Sequence, residues 1–118
     1  MRNVPDAPGR SVRTPVARIR DIAQVCKSKN AGPFEITFDI VFKERAVFEK
    51  VQATGVLNAA LFARLYGVKV EDVLFTEFPP GCAFKGTIPR EISSGDVGDS
   101  DVYGAQQHAL LLDVEIPI

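Results

Sequence analysis

Between Phe34 and Phe42 the sequence FEITFDIVF places a large apolar residue at every second position. Side chains on a strand point alternately to opposite faces. Phe34, Ile36, Phe38, Ile40 and Phe42 would therefore line one face, and Glu35, Thr37, Asp39 and Val41 the other. That pattern predicts a strand in a sheet with one buried face. Each large apolar side chain withdrawn from water contributes about 1.5–3 kcal/mol. A slip of one residue would turn the whole row to solvent. The register is thus strongly specified, and the sheet needs a layer to cover it.

The cover follows directly. From Glu44 the period changes: Val47, Phe48 and Val51 share one helical face, while Glu44, Arg45, Glu49, Lys50 and Gln52 take the water side. Gly55 suits a C-cap. Asn58 suits the N-cap of a second helix over Ala59–Tyr66. Leu57 and Phe62 have the spacing of a hydrophobic staple, Leu61, Phe62 and Leu65 make the apolar stripe, and Gly67 ends the helix. Val73–Phe78 and Cys82–Ile88 read as two strands joined by the turn Pro79-Pro80-Gly81. Gly86 marks either a bulge or a close approach of another group.

Upstream, a strand is expected to start near Ala17, with a break around Asp21. A turn over Lys29–Pro33 follows, Pro33 standing just ahead of the alternating strand. Downstream, Pro89–Val102 reads as a loop. Ala109–Ile116 reads as a last strand with Leu112, Val114 and Ile116 on one face. Strands and helices in separate runs predict an α+β fold: an antiparallel or mixed sheet with two helices packed on one face.

At 118 residues the chain has room for one core. Residues 16–118 are expected to form a single domain, and residues 1–15, with three Pro, three Arg and few apolar groups, a disordered N-terminal arm. Basic and acidic residues balance, 14 against 15. That is not the basic footprint of a nucleic-acid binder, and no nucleic-acid partner is expected. No apolar run approaches the ~20 residues that span a bilayer, so no membrane partner is expected. Cys26 and Cys82 are far apart and form no CxxC. They read as free thiols of a reducing, cytoplasmic protein. One His and two distant Cys do not make a zinc site, and neither a metal nor a cofactor is expected.

Three segments carry polar groups that chemistry could use. Ser28-Lys29-Asn30-Ala31-Gly32-Pro33 offers a cation, an amide and a glycine that lets backbone approach a ligand. The set Lys29, Asn30 and Gly32 suits a carboxylate or phosphate, although a plain turn asks for the same residues. The spacing is not that of a P-loop. The acidic run Gly95–Asp101 lacks the EF-hand pattern and reads as a solvated loop. Finally, Asp101-Val102-Tyr103-Gly104-Ala105-Gln106-Gln107-His108 gathers the sole His, a Tyr and two amides. His108 beside Asp101 or Tyr103 has the makings of a general acid–base group, with Gln106 and Gln107 as ligand donors. The plainer alternative is a polar cap on the last strand. Cys26 meeting His108 is a weaker idea.

The strings KSKNAGPFEITFDIVF, FARLYGVKVEDVL and DVYGAQQHALLLDVEIP closely resemble a family of small proteins of unknown function grouped with the AtuA-like ferredoxin-fold domains. The resemblance covers Ile19 to Pro117. It implies a ferredoxin-like form of the α+β fold. It also implies company in acyclic terpene utilisation, a catabolic route working on acyl-CoA thioesters, with small members acting beside a large AtuA-like chain. An SGDKG-type turn of those domains would fall here on Ser28–Gly32, with Asn30 in place of the acidic residue and the Lys displaced. Leu110 stands where similar chains have Pro.

Two functions are therefore expected as alternatives. One is an accessory or small subunit acting with a larger AtuA-like protein in acyl-CoA or carboxylate catabolism, which requires an exposed apolar patch. The other is a self-associating enzyme or small-molecule binding protein, a homo-oligomer with an acyl-CoA, carboxylate or phosphate ligand. Its site would lie between the SKNAG loop and the DVYGAQQH segment, which requires those segments to converge.

Overall fold

The structure, a computed structural model, describes residues 16–90 and 108–118. Its elements are β1 (Ala17–Arg18), α1 (Ile19–Ile22), β2 (Val25–Asn30), β3 (Glu35–Val41), α2 (Arg45–Thr54), α3 (Ala59–Tyr66), β4 (Leu74–Phe78), β5 (Ala83–Pro89), α4 (Ala109–Leu112) and β6 (Glu115–Ile116). The fold is α+β and consistent with the ferredoxin-like class. One antiparallel sheet runs β2-β3-β5-β4, and a small second sheet pairs β1 with β6. β3 and β4 are each antiparallel to β5 and so parallel to one another. The helices α2 and α3 form the crossover between them, and β5 returns down the middle, a split βαβ arrangement.

The alternating row does what its period demands. Ile36, Phe38 and Ile40 on β3, with Phe42 just beyond, are buried. They meet Ile88, Gly86 and Phe84 across β5. Both helices lie on this face. Phe48 of α2 packs on Phe84 at 4.9 Å between ring centroids, and Phe62 of α3 on Phe38 at 5.5 Å. Gly86 permits this. A Cβ there would stand 2.8 Å from the ring of Phe62, and pairing from Glu35↔Pro89 to Val41↔Ala83 is unbroken. Of the two readings of Gly86, close approach is the right one.

The helix ends also follow their capping chemistry. Asn58 Oδ1 accepts from the Leu61 amide at 2.8 Å, and Gly55 and Gly67 close α2 and α3 in the left-handed region. Leu57 and Phe62, at staple spacing, are both buried.

Phe34 departs from the row and is 64% exposed. The ladder stops first: the Ala31 amide donates to the Glu35 carbonyl at 2.9 Å, which leaves Phe34 in the turn. Lys29 and Asn30 depart the other way. They are not turn residues but the end of β2, paired with Thr37 and Ile36. The turn contracts to Ala31–Phe34, where Gly32 has φ +100°.

The chain's ends differ most from expectation. The strand expected from Ala17 is two residues long, pairs with Glu115–Ile116, and gives way to the helical turn α1 before β2 begins. The strand expected over Ala109–Ile116 starts as the helical turn α4, so Leu111 rather than Leu112 is fully buried. A run of three leucines satisfies either period, and packing against Ile19 and Ile116 in the same core decides between them. Cys26 and Cys82 are free thiols. Among the described residues no helix is long and apolar enough to cross a membrane.

Candidate functional site

The polar features converge on β2. Its residues alternate between faces. Cys26, Ser28 and Asn30 stand opposite Ile40, Phe38 and Ile36 and share their helix-covered face. Lys27 and Lys29 stand opposite Asp39 and Thr37 on the other face. An edge strand thus carries three small polar groups beside a wholly apolar row, and each needs a partner there.

The partners come from three separate segments. Arg90, next after β5, is fixed by its amide donating to the Phe34 carbonyl at 2.6 Å. Its Nη1 donates to Asn30 Oδ1 at 2.7 Å. His108, at the start of α4, donates its backbone N–H to Ser28 Oγ at 3.1 Å. The same hydroxyl lies 3.4 Å from His108 Nδ1. With the proton on Nε2, Nδ1 accepts from the Ser28 hydroxyl, so that Oγ accepts from one nitrogen of His108 and donates to the other. Ser28 is only 5% exposed. Tyr66, at the end of α3, stacks on Phe38 at 4.8 Å.

Electrostatics hold this row neutral. Burial pushes the Cys26 thiol up to about 11. Burial first, and the neighbouring Cys26 second, raise the Tyr66 phenol well above its usual range. Near neutral pH Cys26 is therefore a thiol and not a nucleophilic thiolate. Ser28 Oγ lies 3.4 Å from Nδ1, longer than the roughly 2.6–3.2 Å of an activating pair, and one of its two lone pairs serves the His108 amide. The arrangement brings a hydroxyl, an amide, an imidazole and a guanidinium to one strand face.

Of the residues singled out from sequence, Asn30 and His108 come to the same strand face. The partner of His108, Ser28, is two residues from Asn30. Lys29 points to the opposite face and is exposed, and Gly32 lies beyond the strand in the turn. Asp101, Tyr103, Gln106 and Gln107, and the acidic loop before them, lie outside the described residues. The described side-chain contact of His108 is with Ser28. Among the described residues no group of three His, Cys, Asp or Glu could hold a metal. Sequence reasoning passed over Ser28, Tyr66 and Arg90. The signal for Ser28 was present in the alternation of VCKSKN, small polar residues at every second position.

No curated protein matches this chain, and no solved structure does. The family model that matches spans residues 19–115, from α1 to β6, and so includes β2, Arg90 and His108. The chain therefore belongs to the DUF4387 family, a domain of unknown function.

Proposed function

We propose that the junction of β2 with Arg90 and His108 binds a small anionic molecule, a carboxylate or phosphate, and that the protein acts as a ligand-binding module. The observation that carries this reading is the meeting of three distant segments on one strand face. Residues 80 apart join at Ser28 and His108, and residues 60 apart join at Asn30 and Arg90. A guanidinium among neutral donors is the chemistry that recognises carboxylate and phosphate oxygens.

The test is a titration of the full chain followed by amide NMR, with acetate, inorganic phosphate and acetyl-CoA as probes. Saturable shifts at Ser28, Asn30 and His108 are expected, and Arg90→Met should weaken binding by about tenfold or more. Absence of saturable shifts with all three probes sinks the reading.

A second reading has an observation of its own. Phe34, Leu74 and Phe78 leave large apolar side chains in solvent, as an accessory subunit would before docking. On this reading the chain serves beside a larger AtuA-like protein in acyl-CoA or carboxylate catabolism. Stoichiometric recovery of such a chain with the tagged protein from its native cells would support it. Recovery of the small chain alone would remove it.

A further inference from the structure

We propose that β4 is a self-association edge: two copies of this chain pair antiparallel along it, about a two-fold axis at Thr76, joining their sheets into one. The inference is independent of what the Ser28–His108 junction binds.

β4 ends the sheet, and no described strand pairs with its outer side. Leu74 is 65% and Phe78 61% exposed, and Thr76 between them is exposed as well. Edge strands that must stay single are protected by lysines, prolines, bulges or inward-pointing charges. Leu74-Phe75-Thr76-Glu77-Phe78 contains no lysine, proline or bulge, its one inward charge, Glu77, accepts from Gln52 Nε2 at 2.8 Å, and its register with β5 is regular from Leu74↔Thr87 to Phe78↔Ala83. Prolines appear only at its end, where Pro79 and Pro80 stop the strand. The opposite edge shows the contrast, since β2 turns two lysines, Lys27 and Lys29, outward.

The strand is also complementary to itself, which argues for a second copy as occupant. Antiparallel pairing centred on Thr76 sets Leu74 against Phe78 of the second copy, and Phe78 against its Leu74. Both pairs lie on the face away from the helices, the residues now most exposed. Phe75 meets Glu77 of the second copy, so the strand's single charge never faces itself. Centring on Glu77 instead would oppose two carboxylates, which is unfavourable. A two-fold arrangement of this kind closes at two copies, because the same patch serves both.

The test is the mass in solution of the full chain over a concentration series, by sedimentation velocity, with far-UV circular dichroism as the check on folding. The wild type is expected at twice the chain mass. Thr76→Lys places two ammonium groups at the axis and should raise the dimer dissociation constant by about tenfold or more. Thr76→Cys provides a second readout. Directly opposed Cβ atoms on paired strands are about 4.5–5.5 Å apart, close enough for a disulfide after small adjustment. Mild oxidation should give a covalent dimer with Thr76→Cys, and none with the wild type or with Lys27→Cys on the other edge. A wild type that is monomeric throughout overturns the proposal, as does a dimer indifferent to Thr76→Lys. A larger chain bound along β4 with no self-association overturns it as well.

Discussion

β2 and β4 close the same sheet at opposite edges. β2 turns Cys26, Ser28 and Asn30 toward the helices and Lys27 and Lys29 away from them. β4 turns Phe75 toward the helices and Leu74, Thr76 and Phe78 away. The inward rows differ because different things reach them. α3 lies over β4, and Phe62 packs on Phe75 at 6.0 Å between ring centroids. Beside β2, segments from far along the chain arrive bearing hydrogen-bonding groups, Arg90 and His108. A polar inward row is tolerable only where partners are delivered to it. The outward rows differ in what they repel. Charge on β2 discourages another strand, while β4 carries apolar groups and no outward charge.

The largest expected effect separates neighbours on β4. Phe75→Ala should cost about 2–4 kcal/mol, near the lower end for a buried aromatic, because Phe75 is half-buried. Leu74→Ala should stay within about 0.5 kcal/mol. Both are to be measured by urea unfolding at high dilution, and equal losses would end the two-sided description of this strand. Next, Gly86→Ala drives a methyl against Phe62 and should cost about 1–3 kcal/mol. Pairing it with Phe62→Leu should recover part of that loss, and no recovery would mean that the ring is not the obstacle.

On β2, Ser28→Ala removes the acceptor of the His108 amide. The loss should be about 1–3 kcal/mol if that amide is left unpaired, against less for Lys29→Ala on the exposed face. Hydrogen exchange at the His108 amide should quicken in the first variant only.

The pH dependence sharpens the same contrast. The folded Cys26 thiol titrates at about 11 against 9.0 when unfolded, so above pH 9.0 the unfolded chain gives up its proton first. The raised Tyr66 acts in the same sense at higher pH. Stability should therefore be flat up to that point and fall as pH rises through the folded value. Cys26→Ala should flatten the onset of the fall, and an unchanged profile would show that the thiol is not the cause. The smallest effect belongs to the surface. Arg20 donates to Asp113 at 2.6 Å, but both side chains are exposed, and Arg20→Ala should cost only about 0–1 kcal/mol.

Much of this molecule was legible residue by residue. The row from Ile36 to Phe42, the helices α2 and α3, their caps at Gly55, Asn58 and Gly67, and the hairpin over Pro79–Gly81 all rest on local periods and capping rules. Phe34 was misplaced because period alone cannot say where a ladder stops. The leucines at 110–112 fit strand or helix equally well, and the order of α1 and β2 hid in a segment where Ile22, Ala23, Val25 and Cys26 gave no clear period. Lys29 and Asn30 looked like one loop. Once they extend β2, adjacent residues must face opposite ways, and only Asn30 joins the face that His108 reaches.

The sequence by itself determined which face of β3 is buried and that two helices cover it. Those outcomes depend on patterns within a few residues, where apolar burial and capping act locally. Only the tertiary structure decided that Ser28 meets His108, that Asn30 meets Arg90, and that β4 stands at the end of the strand order among the described residues. Strand order and the meeting of residues 60 and 80 positions apart depend on how the whole core packs, and no local period encodes that.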